Sequence, residues 1–399
     1  MDLVVTVENR YDRTPDGAVW TQAQFAYTFW VRYLAVFDRV RVVSRIREVR
    51  SVPPDWKRAD GEKISFVALP HYIGPWQYLL HAQQVQRTAR NAVDASDAVI
   101  LRVYSQIAGC IDPLLDQTSH PYGVEVVSDP YEVFAPGSVR HLLRPFFRRW
   151  FTHQLQRQCA GASAAAYVTE HALQCRYPPM PVAFSTYYSD VELSDIAFVS
   201  VPRSLQQGAA TFTLVTVGSL AQMYKAPDLL IDAVAACVRE GLDLKLVLVG
   251  DGKHRAELEA RVAKLGLGKR VCFRGQLTAG DAVRAQLDQA DLFVLPSKTE
   301  GLPRAMLEAM ARGLPCIGSQ VGGIPELLPP EDMVSPGDVA ALAGKIRQVV
   351  TDPERMACMS ARNLEKAKEY REEVLYERRN KFYRYVREVT EEWIKAQKQ

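Results

Sequence analysis

The stretch of sequence that decides the fold is Pro296-Ser-Lys-Thr-Glu300-Gly-Leu-Pro-Arg-Ala-Met-Leu-Glu308-Ala-Met-Ala-Arg-Gly-Leu-Pro315. It follows an apolar run at 292–295 that predicts a buried strand, and its second half is rich in helix-forming residues. Between the two, Gly301 permits a tight turn and Pro303 occupies a position that is favoured at the start of a helix. The stretch therefore predicts a strand, a loop that carries Glu300 and a helix that carries Glu308.

Short apolar runs alternate with amphipathic helical segments along most of the chain. The predicted strands are 3–7, 40–43, 66–69, 98–103, 124–127, 164–168, 212–217, 244–249, 271–273, 292–295 and 315–317. Nearly continuous apolar strands separated by helices indicate parallel sheets that are covered on both faces. We therefore predict an α/β protein with two doubly wound, Rossmann-like domains that face each other across a cleft.

The polar, strand-poor segment 201–210 is the predicted hinge between these domains. We assign residues 1–205 to an N-terminal domain and residues 206–374 to a C-terminal domain, and we expect a helix at about 375–399 to pack back onto the first domain. Ligands of doubly wound sheets bind beyond the carboxyl ends of the strands, so the chemistry is expected in the strand-to-helix loops.

The start of the helix after Pro303 is suited to a diphosphate. Backbone amides at a helix N-terminus point outward and carry the positive end of the helix dipole. Glu300 lies just before this start, and Glu308 lies about one and a half turns inside the helix. Two carboxylates so placed can accept hydrogen bonds from hydroxyl groups on either side of a diphosphate held between them.

Residues 211 to 352 resemble the retaining family 4 glycosyltransferases of GT-B fold, which are also described as glycosyl transferases group 1. The landmarks are Thr216-Val-Gly-Ser-Leu220, Lys225 before a helix, Val247-Leu-Val-Gly-Asp-Gly252, Phe273-Arg-Gly275, the stretch with Glu300 and Glu308, and Gly322-Gly-Ile-Pro-Glu326. Each motif is weak by itself, but the motifs in this order are specific.

This resemblance implies a retaining glycosyltransferase whose C-terminal domain binds a nucleoside-diphosphate sugar. Glu308 would bind the ribose hydroxyls, Glu300 the transferred sugar and Lys225 the diphosphate, while Arg274 and Gly275 would lie beside the base. The predicted donor-binding residues are Gly218, Ser219, Lys225, Gly250, Asp251, Gly252, Arg274, Gly275, Glu300, Gly301, Leu302, Pro303, Arg304 and Glu308. Glu300, Lys225 and Asp129 are the predicted catalytic residues.

Two positions depart from the pattern of the family. Ser219 stands where the family often has an arginine that shares the diphosphate with the lysine, and Lys225 follows one residue later than in the commoner spacing. Arg304 is therefore the candidate for a second cation.

The first half of the chain offers fewer candidates, as expected of a domain that binds a variable acceptor. Gly17 lies between the first strand and a helix predicted to begin near Val19, and it resembles the family's first glycine loop with the usual glycine pair reduced to one. Asp129 ends the strand 124–127 and should point into the cleft, where many relatives carry a histidine or an aspartate near the reacting centre. The alternative is a loop carboxylate that caps the turn.

The segment 139–157 combines apolar and basic residues at helical spacing. Its apolar positions are Val139, Leu142, Leu143, Phe146, Phe147, Trp150 and Phe151, and its basic positions are Arg140, Arg144, Arg148, Arg149 and Arg157. No acidic residue occurs between positions 133 and 169. The pattern is typical of a helix that lies on an anionic membrane surface, but an ordinary helix that packs its apolar stripe on the sheet has the same pattern.

Composition and motif content limit the partners, the cofactors and the cellular location that we expect. A net charge of +3 on 399 residues gives no reason to expect a nucleic-acid partner. Seven scattered cysteines without zinc-ligand spacing predict reduced, buried thiols. The sequence has no Asp-x-Asp motif and no cluster of histidine and cysteine, so we expect neither a metal ion nor a cofactor. No run reaches the ~20 apolar residues that a membrane span needs, and no targeting segment is visible. We therefore expect a cytoplasmic protein, or one that is peripheral at the inner membrane face.

The predicted function is transfer of a sugar to a glycan, a lipid-linked or a small-molecule acceptor, as in polysaccharide biosynthesis. One alternative is an epimerase or hydrolase of sugar nucleotides on the same fold, and another is a non-catalytic subunit that binds them. A Rossmann oxidoreductase ranks below these because no Gly-x-Gly-x-x-Gly follows a strand. The base, the sugar and the acceptor stay open.

Overall fold

The computed structural model describes residues 1–22, 25–136, 141–203 and 211–399. Its strands are β1 (Leu3–Arg13), β2 (Val19–Thr21), β3 (Val40–Glu48), β4 (Lys57–Arg58), β5 (Ile64–Leu69), β6 (Ala98–Val103), β7 (Gly123–Val126), β8 (Ala164–Tyr167), β9 (Phe184–Tyr187), β10 (Phe212–Val217), β11 (Leu244–Val249), β12 (Val271–Gly275), β13 (Leu292–Leu295), β14 (Cys316–Ser319) and β15 (Met333–Val334). Its α-helices are α1 (Tyr27–Trp30), α2 (Gly74–Arg90), α3 (Gln106–Thr118), α4 (Pro130–Val133), α5 (Arg144–Gly161), α6 (Ala172–Arg176), α7 (Pro227–Arg239), α8 (Arg255–Lys264), α9 (Asp281–Asp288), α10 (Arg304–Ala311), α11 (Val339–Val350), α12 (Pro353–Lys368) and α13 (Glu372–Gln397).

The strands form two separate sheets. In the first, the parallel strands run in the order β5-β3-β1-β6-β7-β8-β9, and the short strands β2 and β4 extend from β1 in antiparallel pairing. The second sheet is parallel throughout, in the order β12-β11-β10-β13-β14-β15. In both sheets the chain starts near the middle and reverses direction once, which is the doubly wound topology. The predicted α/β fold with two Rossmann-like domains is confirmed.

The two faces of the first sheet are covered by different helices. Helices α2, α3 and α5 share one buried cluster with the sheet, which includes Val85, Ile111 and Leu155. The opposite face packs against α13, which contacts β6, β8 and β9. At Gly123 of β7, an added Cβ would lie 2.7 Å from Val386 and 2.8 Å from Phe382 of α13, so this helix lies directly on the sheet.

The chain crosses between the sheets twice. On the first crossing, the amide of Val199 donates to the carbonyl of Ala311, and the guanidinium of Arg203 donates to three backbone carbonyls of the second domain. On the return, the amide of Glu372 donates to the carbonyl of Leu193 just before α13. The predicted boundary at 205/206 lies outside the described residues, but the chain already contacts the second domain at Val199.

The helix predicted to begin near Val19 is wrong. Val19–Thr21 form β2, because β1 continues to Arg13 and pairs with β2 in antiparallel register. Gly17 lies in the hairpin turn between them, where its φ of 85° favours glycine and its amide donates to the carbonyl of Thr14 over 2.9 Å. The Val-Trp-Thr sequence has high strand propensity, and an edge was available for it to pair with.

The cysteines are free thiols, as expected, but their burial is mixed. Cys110, Cys159, Cys237 and Cys316 are buried, whereas Cys175, Cys272 and Cys358 are exposed.

Candidate active site

The loop between β13 and α10 holds Glu300 in a nearly closed environment. Glu300 is 9% exposed, and its Oε1 accepts a hydrogen bond of 2.7 Å from Lys225 Nζ and one of 2.6 Å from Ser297 Oγ. Ser297 is fully buried at the start of the same loop. The two donors bond to the same oxygen, so they fix the orientation of the carboxylate and leave Oε2 without a partner among the described hydrogen bonds.

Lys225 reaches this carboxylate from the loop after β10. It ends a short 3₁₀ turn, Met223–Lys225, and α7 begins two residues later with Pro227. The amide of Lys298 donates to the carbonyl of Tyr224 over 2.7 Å, which joins the turn to the Glu300 loop. The ion pair therefore connects the loops of two adjacent strands, and only 18% of the Lys225 side chain is exposed.

Two glycines allow these loops to approach each other. An added Cβ at Gly322 would lie 2.0 Å from the carbonyl oxygen of Glu300, and one at Gly250 would lie 1.9 Å from the carbonyl oxygen of Gly218. Both glycines have positive φ, of 53° and 137°. Any side chain would push the backbone loops apart, so the glycines are required by the shape of the site.

The predicted turn Gly250-Asp-Gly252 is held by its own contacts. The amide of Gly250 donates to the carbonyl of Gly275 over 2.8 Å, which places the ends of β11 and β12 together. The carboxylate of Asp251 accepts from the amide of Gly252 over 2.7 Å and from Arg255 over 3.0 Å. Asp251 thus closes the turn, whereas Arg274 on β12 is exposed.

Glu308 lies half-buried in α10, beyond the loop that carries Glu300. Burial raises the pKa of its carboxyl above the usual glutamate value, and the positive charges of Arg304 and Arg284 oppose this rise. Its carboxylate accepts no hydrogen bond from any described residue. Arg304 is exposed one turn earlier in α10, and Arg284 belongs to α9.

The N-terminus of α10 has no side-chain cap. Pro303 occupies the capping position and has no side-chain hydrogen-bond acceptor, and no acidic residue lies in the first turn. Gly301, Leu302 and Pro303 lead directly from Glu300 to this terminus, and Leu302 and Pro303 are buried. Its free amides therefore lie close to the Lys225–Glu300 pair.

A cleft of about 350 Å³ opens beside Glu300 between the two domains. Its lining residues from the first domain are Ser128, Asp129 and Val133, and those from the second are Gln222, Tyr224, Thr299, Glu300 and Gly301. The structure brings Asp129 and Glu300 to one cleft, and it places neither Gly17 nor Glu308 among the described lining residues.

Asp129 lies in the cleft wall, but its carboxylate is engaged. It caps α4 by accepting from the amide of Tyr131 over 2.9 Å, it accepts from the hydroxyl of Tyr177, and it forms an ion pair with Arg176. Asp129 is 6% exposed. These contacts fit the capping alternative, and they leave little of the carboxylate free to accept a proton from a substrate.

The roles of four residues at the site were not predicted from the sequence. Ser297 gave no signal, because a serine in a loop is common. Gln222 and Thr299 line the cleft, although neither was predicted as a site residue. Glu326 accepts hydrogen bonds from the backbone amides of residues 170, 171 and 172 in the first domain, at 2.6, 3.0 and 2.7 Å.

The described residues contain no group of three or more histidine, cysteine, aspartate and glutamate side chains that could hold a metal ion. Within those residues, no helix has the length and apolar character needed to cross a bilayer.

Comparison with known proteins assigns the C-terminal half to a class. The family described as Glycosyl transferases group 1 matches residues 211–352, which include Lys225, Glu300 and Glu308. These residues form a glycosyl transferases group 1 domain within a GT-B fold, which supports a glycosyltransferase as the class of the enzyme.

Individual proteins show how far the similarity reaches. Protein CapJ of Staphylococcus aureus is 26% identical over 330 residues, which are 82% of this chain and 81% of CapJ. The 2-deoxystreptamine glucosyltransferase of Streptomyces kanamyceticus is 36% identical over 126 residues, so the chain spans 32% of that relative and the match covers 31% of the chain. The structure of Anabaena HepE in complex with UDP and glucose superposes with a TM-score of 0.64 at 16% identity, over 96% of this chain and 98% of HepE.

Proposed function

We propose that the protein transfers a sugar from a nucleoside-diphosphate donor to an acceptor hydroxyl, with retention of the anomeric configuration and without a metal ion. The observation that carries this proposal is the Lys225–Glu300 pair, held between the loops of β10 and β13 beside an uncapped helix start and a cleft lined by both domains. A transferase needs two substrates in one place, and a cleft with walls from two domains provides this.

The donor diphosphate belongs between Lys225 and the start of α10. The free amides of the helix start and the ammonium group are both positive, and no acidic residue lies in the first turn of α10. When the sugar–phosphate bond breaks, negative charge grows on the departing diphosphate, and fixed positive groups stabilise it. The nearby Arg304 is exposed and is the candidate for a second positive group.

Glu300 and Glu308 take different roles in this arrangement. The oxygen of Glu300 that bonds Lys225 and Ser297 is engaged, so its second oxygen is the one that can orient the sugar hydroxyls. Glu308 has no hydrogen-bond partner among the described residues and suits the ribose hydroxyls. When the nucleotide binds, the ribose hydroxyls donate hydrogen bonds to this half-buried carboxylate, and these bonds offset the cost of its burial.

No side chain is proposed as a covalent nucleophile. In the retaining scheme that the resemblance to family 4 implies, the acceptor attacks from the face that the diphosphate leaves. Glu300 then positions the sugar, and the departing phosphate stays close enough to accept the acceptor's proton. Asp129, engaged with Arg176 and Tyr177, lines the acceptor side of the cleft without acting as the base.

A donor screen followed by product analysis tests this proposal. The full chain is heated with a panel of UDP-, GDP- and ADP-sugars, and a donor at ~100 times its dissociation constant should stabilise it by ~2.7 kcal/mol. Lys225→Ala is the variant that changes the site, and Lys269→Ala, at an exposed position outside the site, is its control. NMR of the first product should show the anomeric configuration of the donor, and an inverted product would overturn the retaining mechanism.

A further inference from the structure

Helices α2 and α5 expose large apolar side chains that the catalytic site does not use. On α2, Trp76 is 74% exposed and Leu80 is 82% exposed, and Leu79 lies beside them. Leu142, just before α5, is 99% exposed, and Phe146 and Trp150 of α5 are more than half exposed. We call these six residues the two-helix face.

The aromatic side chains on the inner side of α5 already have packing partners. Phe147 and Phe151 pack against Phe134, and the ring of Phe151 also contacts Tyr104. The apolar stripe predicted for this segment is therefore divided, with one half packed against Phe134 and the other half in solvent. Val139 and Arg140, which belong to the pattern predicted for 139–157, lie outside the described residues.

The two halves of this face lie at the same end of one helix layer. Helices α2 and α5 both contact α3 and share a buried cluster with it. Helix α2 follows β5, and α5 follows β7 through α4, so both begin at the carboxyl edge of the first sheet. Ser128 and Asp129, which line the cleft, follow β7 directly. The exposed side chains in the first turns of α2 and α5 consequently lie at the edge where the cleft opens.

The charged residues that α2 and α5 themselves carry are all basic. No aspartate or glutamate occurs from Ile73 to Arg90 or between positions 133 and 169, whereas Arg87, Arg90 and Arg149 are exposed. Arg144 and Arg148 are turned inward, where they donate to the carbonyls of Phe134 and Tyr131. The acidic residues nearest to these helices, Asp116 of α3 and Glu132 of α4, are paired with Arg157 and Arg176. Exposed apolar side chains on helices that carry basic and no acidic residues are complementary to an anionic lipid surface.

We propose that the two-helix face docks on an anionic lipid bilayer and that the cleft thereby receives the head group of a lipid-linked acceptor. The second part rests on the proposed function, since it names the acceptor class of the same site. Trp76, Phe146 and Trp150 enter the interface between head groups and acyl chains, and the exposed arginines contact the lipid phosphates.

Vesicle sedimentation of the full chain tests the docking. The wild type should bind phosphatidylcholine vesicles that contain phosphatidylglycerol, should bind pure phosphatidylcholine less, and should be released at high salt. The Trp76→Ser, Leu80→Ser double variant and the Phe146→Ser, Trp150→Ser double variant should each bind at least about tenfold more weakly. Arg149→Gln should weaken binding about fivefold.

Val182→Ser is the matched control, because Val182 is 82% exposed and precedes β9 at the opposite edge of the sheet. It should bind vesicles like the wild type. A wild-type protein that stays in the supernatant at low salt overturns the docking. Loss of a dimer, rather than of vesicle binding, in the double variants would assign the face to a second copy of the chain and would equally overturn it.

A separate measurement tests the acceptor. With a labelled sugar of a donor that stabilises the protein, the label should enter organic-extractable lipid in the wild type and much less in the Trp76→Ser, Leu80→Ser variant. That variant should still be stabilised by the donor, because its two changes lie outside the donor site. Label found only in water-soluble product overturns the lipid-linked acceptor, whereas failure of every donor to stabilise the protein would count against the proposed function itself.

Discussion

The two walls of the cleft differ in how their carboxylates are used. In the C-terminal wall, Glu300 has an oxygen without a partner among the described hydrogen bonds. Glu308 belongs to the same domain but not to the described lining of the cleft, and it accepts no hydrogen bond from the described residues. In the N-terminal wall, the carboxylate of Asp129 is held by an amide, a hydroxyl and a guanidinium. A buried carboxylate whose hydrogen bonds are incomplete is available to a ligand, and one with complete bonds supports the fold. The following predictions test this difference.

Lys225→Ala should have the largest effect. The ammonium group faces a leaving group whose charge grows toward the transition state, so its removal should lower kcat by about 10²–10³ and change donor affinity less. Steady-state kinetics of the variant and of Lys269→Ala measure this. If KM rises while kcat is kept, Lys225 binds the ground state only.

Glu308→Ala should weaken nucleotide binding by roughly ten- to a hundredfold, since a hydrogen bond to a charged group contributes about 1.5–3 kcal/mol. Titration calorimetry with the free nucleoside diphosphate measures this affinity. Glu388→Ala, an exposed position on α13, is the control and should not change it. Unchanged affinity in a folded Glu308→Ala variant would remove this residue from the site.

Ser297→Ala should lower kcat by about tenfold, because it removes one of the two donors that orient Glu300. Affinity for the free nucleoside diphosphate should be unchanged, since that ligand lacks the sugar. A lower kcat together with unchanged nucleotide affinity distinguishes a positioning residue from a packing residue. Equal loss of sugar-nucleotide and nucleotide affinity would contradict the assignment.

The pH dependence of nucleotide binding should report Glu308. Its pKa is raised by burial, so the carboxyl takes up a proton at a higher pH than an ordinary glutamate does as the pH falls. Affinity for the nucleoside diphosphate should therefore fall by a few-fold on acidification, starting above the usual glutamate range. Glu308→Gln should flatten this dependence, and an unchanged profile in that variant would assign the titration to another group.

Asp129→Asn should change turnover least, by less than about threefold, although it lowers the melting temperature. The substitution disturbs the cap of α4 and the ion pair with Arg176, whose partial exposure moderates the cost to ~1–2 kcal/mol. Thermal unfolding and kcat are measured on the same preparation. A hundredfold loss of kcat at unchanged stability would place Asp129 at the reacting centre and erase the difference between the two walls.

The sequence predicts the second sheet better than the first for a physical reason. The strands β10, β11 and β13 are largely apolar runs, and their observed bounds equal the predicted ones. The strand β2 was mistaken for a helix because its three residues form only through pairing with β1. Local pattern cannot reveal a partner that lies elsewhere in the fold.

The same limit distinguishes the site residues that local sequence reveals from the contacts that only folding creates. Glu300 and Glu308 are recognised by their spacing and by the start of the helix that lies between them. The partners of Asp129, at 176 and 177, are more than forty residues away in the chain, and only the folded structure brings them to the carboxylate. The division of α5 between Phe146 and Phe147 likewise depends on Phe134, which covers one ring and leaves the other exposed.

Glu326 joins the two domains through a single carboxylate. Its single carboxylate holds the amides of residues 170, 171 and 172 across the interface, and the loop before it contacts the Glu300 loop through the amide of Gly323 and the carbonyl of Gly301. A side chain that does not line the cleft therefore couples the position of the first domain to the backbone of the loop that carries Glu300.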